Sequence, residues 1–363
     1  MRVATGLATS HIASEDLAYQ AVSRAMEKAG ISIASSVLLF LTPEFAREPQ
    51  SALRAAVRAA SCTQVIGCSA AGIFTEDDWV LDAPAAVAMV FGDGFSLEPA
   101  HQIRDDELLL TLAAPNAIHT EWLDKPGQRF GGVSGDATGQ GPFGVWQGGR
   151  TVPLGRCELL IRGARGVAGV SQGVRPLSQQ PFEITQASEF DVLVLAEQPA
   201  LNVLMRELPL ELREPGTLPL HLVMGCITYG DPATAIAQGR FRSAPIIAVN
   251  PLQGSVTLSV RPAPGDQLFW AMRQPLATES GMRATLETLQ QKLHEAPDFG
   301  LCFSCMGRGP YFYGGVDLDL QLIQRQFPGM PLIGFYGNGE IAPFNGSNQL
   351  FQYAAVLGLF RHV

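Results

Sequence analysis

The two ends of the chain show the same alternation of amphipathic and fully apolar segments. Near the N-terminus, apolar side chains recur every three or four residues after Ser14 and stop at Gly30, which predicts a helix capped at both ends. The apolar run Val37 to Leu41 predicts a buried strand. A second helix around residues 53–60, a strand entering a glycine-containing turn at 67–72, and a strand over 85–91 complete this end.

The C-terminal end repeats that order. Its predicted elements are a helix over 282–293, a strand over 301–305, a helix over 316–327, a glycine-containing turn at 334–340 and a strand over 353–360. Ile-Gly pairs at 66–67 and 333–334 occupy matching places before the two turns. We therefore expect an internal duplication of one α/β unit, with coincidence as the alternative, because helix–strand alternation is common.

The middle of the chain is predicted to be rich in β structure. Strand-like runs cover 157–161, 191–195, 246–249 and 255–260, and Pro199 can open a short helix. The glycine-rich stretch from Phe130 to Gly149 is either a long loop or a lid over a pocket. Pro209, Pro215, Gly216 and Pro219 favour a domain boundary that gives domains 1–218 and 219–363. The predicted fold class is α/β, with two related units at the ends and β-rich segments between them.

Composition limits the cellular compartments and the classes of binding partner that we expect for this protein. The 363 residues are 47% hydrophobic and 16% charged, enough to bury two cores. No apolar run approaches the roughly 20 residues that span a bilayer, and the first residues lack a signal-peptide pattern, so we expect a cytoplasmic protein without a membrane partner. A net charge of −9 also disfavours nucleic acid. Six cysteines are too few for a disulfide framework in a chain of this length.

Two cysteine-containing segments raise chemical alternatives. Cys68 and Ser69 lie in a turn that leaves a strand, as a nucleophile elbow does, but none of the six histidines lies in a catalytic motif. A structural or ligand-contacting turn is therefore favoured over hydrolysis. Cys302 and Cys305 form a C-x-x-C motif, yet residues three apart on a strand point to opposite faces. We expect buried thiols there and no metal or disulfide.

Several segments, in this order along the chain, resemble one family. They are Val65-Ile66-Gly67-Cys68-Ser69-Ala70-Ala71-Gly72, Phe130-Gly131-Gly132, Val170-Ser171-Gln172-Gly173-Val174-Arg175-Pro176-Leu177, Phe303-Ser304-Cys305-Met306-Gly307-Arg308-Gly309 with Tyr313-Gly314, and Gly334-Phe335-Tyr336-Gly337-Asn338-Gly339-Glu340-Ile341. The first three are similar to the N-terminal FIST domain and the last two to the C-terminal FIST domain. The resemblance runs from about residue 30 to the end of the chain.

The resemblance implies a sensory module that recognises small ligands such as amino acids. Arg308 and Glu340 follow predicted strands on glycine-rich backbone; a guanidinium suits a ligand carboxylate and a carboxylate suits an ammonium, although the two could instead pair with each other. The expected ligand-binding residues are Gly67, Cys68, Ser69, Gly72, Arg308, Tyr313, Asn338 and Glu340. No phosphate-binding motif is present, so no cofactor is expected. The output partner would be a separately encoded signalling protein; the alternatives are a Cys/Ser-dependent hydrolase and a protein-recognition scaffold.

Overall fold

The helices lie close to where the apolar periodicity predicts them. The computed structural model describes residues 3–213 and 218–363. Its helices are α1 Glu15–Ala29, α2 Gln50–Ala60, α3 Thr120–Leu123, α4 Ala200–Glu207, α5 Pro232–Ala235, α6 Pro275–Leu293 and α7 Leu318–Gln326. Gly30 ends α1 in the left-handed region at φ 67°, as predicted, but Ser14 makes no side-chain capping hydrogen bond. Pro199 precedes α4, also as predicted.

Strands fill most of the remaining chain. In chain order they are β1 Val3–Thr9, β2 Ser36–Leu41, β3 Val65–Ser69, β4 Gly72–Thr75, β5 Trp79–Val80, β6 Ala85–Phe91, β7 Ser96–Pro99, β8 Leu108–Ala113, β9 Gln128–Val133, β10 Val145–Gln147, β11 Arg150–Thr151, β12 Arg156–Arg162, β13 Ala164–Ser171, β14 Val174–Pro176, β15 Phe182–Ser188, β16 Asp191–Leu195, β17 Gln198–Pro199, β18 Val223–Thr228, β19 Phe241–Asn250, β20 Ser255–Leu258, β21 Gln267–Arg273, β22 Phe299–Cys305, β23 Leu332–Gly337, β24 Gly339–Phe344, β25 Ser347–Phe351 and β26 Ala355–His362. The fold is mixed α/β, as predicted at that level. Strand β1 was missed by the sequence analysis.

Spatial contacts divide the chain into two compact units. The first contains the chain up to Ser171 together with Arg283–Val363, and the second contains Gln172–Met282. These units are defined by spatial contacts. The predicted boundary between residues 218 and 219 separates family domains along the sequence, and it stays a prediction. Pro215 and Gly216, on which that boundary partly rests, lie outside the described residues.

The first unit is built from three sheets. Their strand orders are β1-β6-β2-β3-β10-β11, β13-β26-β22-β23-β4-β5 and β25-β24-β9-β8-β12-β7. Phenylalanine rings from the three sheets pack against one another. The ring centroid of Phe40 in β2 lies 5.0 Å from that of Phe335 in β23 and 6.3 Å from that of Phe303 in β22. The ring centroid of Phe130 in β9 also lies 6.3 Å from that of Phe303. One hydrophobic core therefore holds strands from both ends of the chain together.

The second unit is a closed antiparallel barrel. Strands β21, β15, β16, β20, β19 and β18 pair in that order, and β18 pairs again with β21, which closes the ring. Helix α4 contributes Ala200, Val203 and Leu204 to its core. The sequence predicted β-rich middle segments but not their closure, since closure depends on which strands pair rather than on any local pattern.

The two ends share a strand topology. In each, two parallel strands (β2 and β3, or β22 and β23) lie beside a later antiparallel strand (β6 or β26) in the order β6-β2-β3 or β26-β22-β23. The Ile-Gly pairs also match in register, because Gly67 lies opposite Leu39 and Gly334 opposite Cys302. Origin by duplication stays a prediction.

The two glycine-containing turns are shorter than predicted. Gly67 lies inside β3 and Gly334 inside β23, and the chain breaks only at Ala70-Ala71 and at Asn338. A Cβ at Gly67 would lie 1.7 Å from the carbonyl oxygen of Leu39, and one at Gly334 would lie 1.9 Å from that of Cys302. These glycines therefore permit close approach of neighbouring strands rather than a turn.

None of the helices in the described part of the chain combines the length and apolar character that crossing a bilayer requires.

Replacing Gly334 by alanine should destabilise the protein by about 3 kcal/mol, because the new methyl group would overlap backbone that cannot rotate away. Gly169→Ala is the control: it is also a strand glycine, but its Cβ would approach only side chains, the nearest being Leu289 Cδ2 at 3.2 Å. The control should cost less than about 1 kcal/mol. Urea denaturation measures both, and equal costs would contradict the close-approach argument.

Candidate functional site

Arg308 is buried in the first unit and fully engaged with protein groups. Strand β22 ends at Cys305, and a single 3₁₀ turn over Met306–Arg308 carries the guanidinium inward, where it is 1% exposed. Its Nε and Nη2 donate to the two Asp319 carboxylate oxygens at 2.7 and 3.1 Å. Nη2 also donates to Ser171 Oγ at 2.8 Å, and Nη1 donates to the Ser171 carbonyl. Arg308 therefore ties the end of β13 to helix α7.

Neighbouring groups stabilise the positive charge of the Arg308 guanidinium. Burial lowers the pKa of the guanidinium, but the carboxylate of Asp319 and other nearby groups raise it by more, so the pKa lies above its ordinary value. Asp319 is itself 3% exposed. The pair is a two-point, charge-assisted interaction in a water-poor environment, where each ion requires the other.

Asp317 begins helix α7 beside this pair. Its Oδ1 accepts from the Leu320 amide at 2.9 Å, which caps the helix, and its Oδ2 accepts from the Tyr336 hydroxyl of β23. Burial, followed by the charge of Asp319, raises the pKa of Asp317 to about 6. Asp317 therefore changes its charge at a higher pH than an exposed aspartate does.

Glu340 and Tyr313 each bury a polar atom without a partner. Glu340 is 0% exposed; its Oε2 accepts from the Ala354 amide at 3.3 Å, but Oε1 has no hydrogen-bond partner in the described part of the chain. The Tyr313 hydroxyl lies near Asp319 without hydrogen-bond geometry to any described group. Burial raises the pKa of both side chains, and for Glu340 it raises the pKa well above its ordinary value, which favours the neutral carboxyl group.

The thiol of Cys302 belongs to the same neighbourhood. Burial raises the pKa of Cys302, and the carboxylates of Asp319 and Asp317 raise it further. Cys302 and Cys305 are both buried, and neither forms a disulfide with a described cysteine. Across residues 3–213 and 218–363, no group of three or more His, Cys, Asp or Glu side chains is placed to hold a metal ion.

The first predicted turn has its own hydrogen-bond network. Ser69 Oγ accepts from the Gly144 amide at 2.9 Å and lies 3.1 Å from Ser134 Oγ, which in turn donates to the Ser69 carbonyl at 2.6 Å. Cys68 is 0% exposed and packs in the phenylalanine-rich core beside Cys157. Burial raises the pKa of Cys68 well above its ordinary value, so the group is a thiol rather than a thiolate.

Strand β4 brings the two predicted turns together. It leaves β3 and pairs with β23, which places Gly72 opposite Tyr336. A Cβ at Gly72 would lie 2.9 Å from Tyr336 Cδ2, so the missing side chain admits the tyrosine ring. Asn338 is partly exposed, its amide donates to the Val133 carbonyl at 3.0 Å, and its Oδ1 borders Gly135. Asn338 therefore lies against the 133–135 segment, which includes Ser134.

The eight predicted site residues therefore fall into two neighbouring groups. Arg308, Tyr313 and Glu340 share one buried cluster, Gly72 borders it, and Asn338 lies beside it. Gly67, Cys68 and Ser69 belong to strand β3. The sequence analysis missed four further members of the cluster, namely Ser171, Asp317, Asp319 and Tyr336. The Asp-x-Asp spacing before the apolar period of α7 is a helix-capping signal that could have located two of them.

Arg308→Ala should reduce the free energy of unfolding by about 3–5 kcal/mol, because Asp319 would keep a buried charge without its partner. Removing both charges in Arg308→Met/Asp319→Leu should cost less than Arg308→Ala alone. Arg58→Ala is the control, since Arg58 pairs with Glu15 at the surface with exposures of 61% and 45%. It should cost less than about 1 kcal/mol. Chemical denaturation decides, and a loss below 1 kcal/mol for Arg308→Ala would contradict the ion-pair argument.

The raised pKa of Asp317 predicts a pH-dependent loss of stability. The unfolded chain releases this proton near the ordinary value of 3.8, whereas the folded protein keeps it until about 6. Raising the pH from 4 to 6 should therefore destabilise the wild type by about 2 kcal/mol relative to Asp317→Asn, which cannot titrate but can still cap α7. Urea denaturation across this range measures the difference, and a constant difference would contradict the assignment.

Comparisons with known proteins agree with the motifs. The FIST N domain family matches residues 35–197 and the FIST C domain family matches residues 200–343. The uncharacterized protein Rv0628c of Mycobacterium tuberculosis is 28% identical over 388 aligned residues, which cover 99% of this chain and 100% of the relative. The uncharacterized protein Mb0898c of Mycobacterium bovis is 25% identical over 383, covering 99% of each.

A shorter match is to human F-box only protein 22, which is 34% identical over 74 residues, 19% of this chain and 18% of that protein. FIST domains are generally sensory modules of signal transduction. Since the two family models together cover most of the sequence, the chain belongs to the FIST family.

Proposed function

We propose that this protein is a sensory module that binds a small metabolite, an amino acid or a compound of similar chemistry, in the cluster around Glu340 and Tyr313. The observation that carries the proposal is the pair of buried polar atoms, Glu340 Oε1 and the Tyr313 hydroxyl, that have no hydrogen-bond partner among the described residues. A buried polar atom without a partner costs about 1–3 kcal/mol, so a ligand that satisfied both would recover that cost as binding energy.

Arg308 takes a different role from the one its sequence context suggests. Its guanidinium is already bound to Asp319 and Ser171, so it positions these groups instead of clamping a ligand carboxylate. Glu340 is the side chain available to a ligand. When protonated it can donate to a ligand oxygen, and as a carboxylate it can accept from a ligand ammonium.

The surroundings of the cluster favour a small ligand. Asn338 provides a partly exposed polar side chain two residues before Glu340, and the missing side chain at Gly72 lets strand β4 approach the Tyr336 ring closely. A glycine-rich backbone of this kind lets a ligand approach main-chain donors and acceptors closely.

We propose binding rather than catalysis. A cysteine nucleophile must be a thiolate, and burial raises the pKa of Cys68 well above its ordinary value. The Ser69 hydroxyl is occupied by Gly144 and Ser134. These contacts support a structural role for both side chains.

Proposals on cellular location, signalling partner and evolutionary origin follow from the same features. We propose that the protein acts in the cytoplasm and passes its signal to a separately encoded protein; six free cysteines, five of them buried, suit a reducing compartment. We also propose that its two ends arose by duplication, which their common strand order and matched Ile-Gly register support.

Tyr313→Phe and Glu340→Gln should abolish ligand binding without weakening the fold. Each removes or neutralises an unpartnered buried group at nearly constant volume, so the stability of the unliganded protein should stay the same or rise by about 1 kcal/mol. A metabolite at one hundred times its Kd should stabilise the wild type by about 2.7 kcal/mol, and the variants should lose that gain. Thermal denaturation against the twenty amino acids and a panel of small organic acids measures both effects.

Tyr311→Phe provides the matched control. Tyr311 lies two residues from Tyr313, but it is exposed and its hydroxyl donates to Asp82. This variant should keep the full response to the ligand. An unchanged response in Tyr313→Phe and Glu340→Gln would place the ligand elsewhere. The absence of any response in the wild type would favour the protein-recognition scaffold, and turnover abolished by Cys68→Ala would favour the hydrolase.

A further inference from the structure

A surface groove in the first unit gathers positive charge in an acidic protein. It has a volume of about 1080 Å³ and is lined by Gln50, Arg54, Val57, Arg58, Thr63, Gly148, Gly149, Arg150 and Thr151. Three of these described lining residues are arginines and none is acidic, although the chain as a whole carries 34 acidic and 25 basic side chains. We call it the arginine groove.

The arginines have little internal compensation. Arg54 and Arg150 form no ion pair or side-chain hydrogen bond with the described parts of the chain. Among the described residues Arg58 reaches only Glu15, at 3.4 Å, and both side chains are largely exposed. A second groove, of about 630 Å³, differs in this respect, because its Lys125 and Lys292 share the lining with Asp105 and Asp124.

The arrangement of the arginines is fixed by the backbone. Arg54 and Arg58 are four residues apart on α2 and so lie on one helix face, where like charges repel each other. The β10–β11 hairpin carries Arg150 to the same groove and is attached to α2 by a hydrogen bond of 3.0 Å from Gln50 Nε2 to the Gly149 carbonyl. An anion bound between Arg54 and Arg58 would attract both guanidinium groups and so offset their mutual repulsion.

The turn of the β10–β11 hairpin packs closely against helix α2. Gly148 and Gly149 have φ of 62° and 69°, in the left-handed region that favours glycine. A Cβ at Gly149 would lie 3.1 Å from Val57 Cγ2, and the Gly149 amide donates to the Val65 carbonyl at 3.0 Å. The hairpin therefore has a defined position against the groove, and Arg150 is carried on a fixed support.

We propose that the arginine groove binds a small, multiply charged oxyanion, either a phosphate ester or a polycarboxylate. Guanidinium groups bind both through two parallel hydrogen bonds, and a groove of this size accommodates a metabolite rather than a single ion. The groove shares no residue with the buried cluster around Glu340, so this is a second site.

Isothermal titration with inorganic pyrophosphate and with citrate, in a low-salt buffer, tests the proposal. The wild type should bind at least one of the two, and the preferred probe identifies phosphoryl or carboxylate chemistry. Losing a charge-assisted contact costs about 1.5–3 kcal/mol, so Arg54→Gln/Arg150→Gln should weaken binding by about tenfold or more. Affinity should also fall as sodium chloride is added, because the groove is exposed to solvent.

The control variant is Arg104→Gln/Arg325→Gln. It removes two exposed arginines outside the groove and changes the net charge by the same amount. It should bind the preferred probe within about twofold of the wild type. Equal weakening in both double variants would reduce the effect to net charge and overturn the site. Two further results would also overturn it: no binding of either probe to the wild type, or tighter binding of a hexaglutamate peptide through the same arginines, which would identify an acidic protein segment as the partner.

Discussion

The close approach of strands around Gly334 is the constraint on which the first unit depends. Strand β23 lies between β22 and β4, and a Cβ at Gly334 would meet both the Cys302 carbonyl at 1.9 Å and the Phe74 ring at 2.4 Å. Only the absence of a side chain allows β4 to pair with β23. That pairing places Gly72 against Tyr336 and holds the tyrosine hydroxyl at Asp317.

Three carboxyl groups in the buried cluster have different hydrogen-bond partners. Asp319 has the guanidinium of Arg308, Asp317 has a helix amide and a tyrosine hydroxyl, and Glu340 has a single amide at 3.3 Å. The strength of this compensation decreases in that order, and burial raises the pKa of Glu340 well above its ordinary value. A buried carboxyl group with a raised pKa beside an ion pair is sensitive to whatever binds next to it, which is the property that a sensor requires.

The sequence predicts secondary-structure elements well, but it predicts poorly which strands and side chains contact each other in the fold. Apolar periodicity located α1, α2, α6 and α7, and it gave β6 its observed bounds, because these patterns are local. Strand β1 was missed since its Val-Ala-Thr-Gly-Leu-Ala-Thr sequence has few large apolar residues. Gly67 and Gly334 were assigned to turns because the carbonyls that they accommodate belong to other strands. Likewise, no local pattern distinguishes Asp319 from Asp317 or Glu340 as the partner of Arg308; that depends on the packing of α7 against β22.

The β10–β11 hairpin connects the arginine groove with strand β3, which carries Ser69. At one end of β10 the Gly144 amide donates to Ser69 Oγ, and beyond the other end Gly149 accepts from Gln50 in the arginine groove. Between them, Val145 and Trp146 pair with Cys68 and Gly67 of β3. Energetic coupling between two sites requires an element whose position affects both. Because the hairpin is bonded both to β3 and to α2, a change in its position would alter the contacts of Ser69 and of Arg150 together.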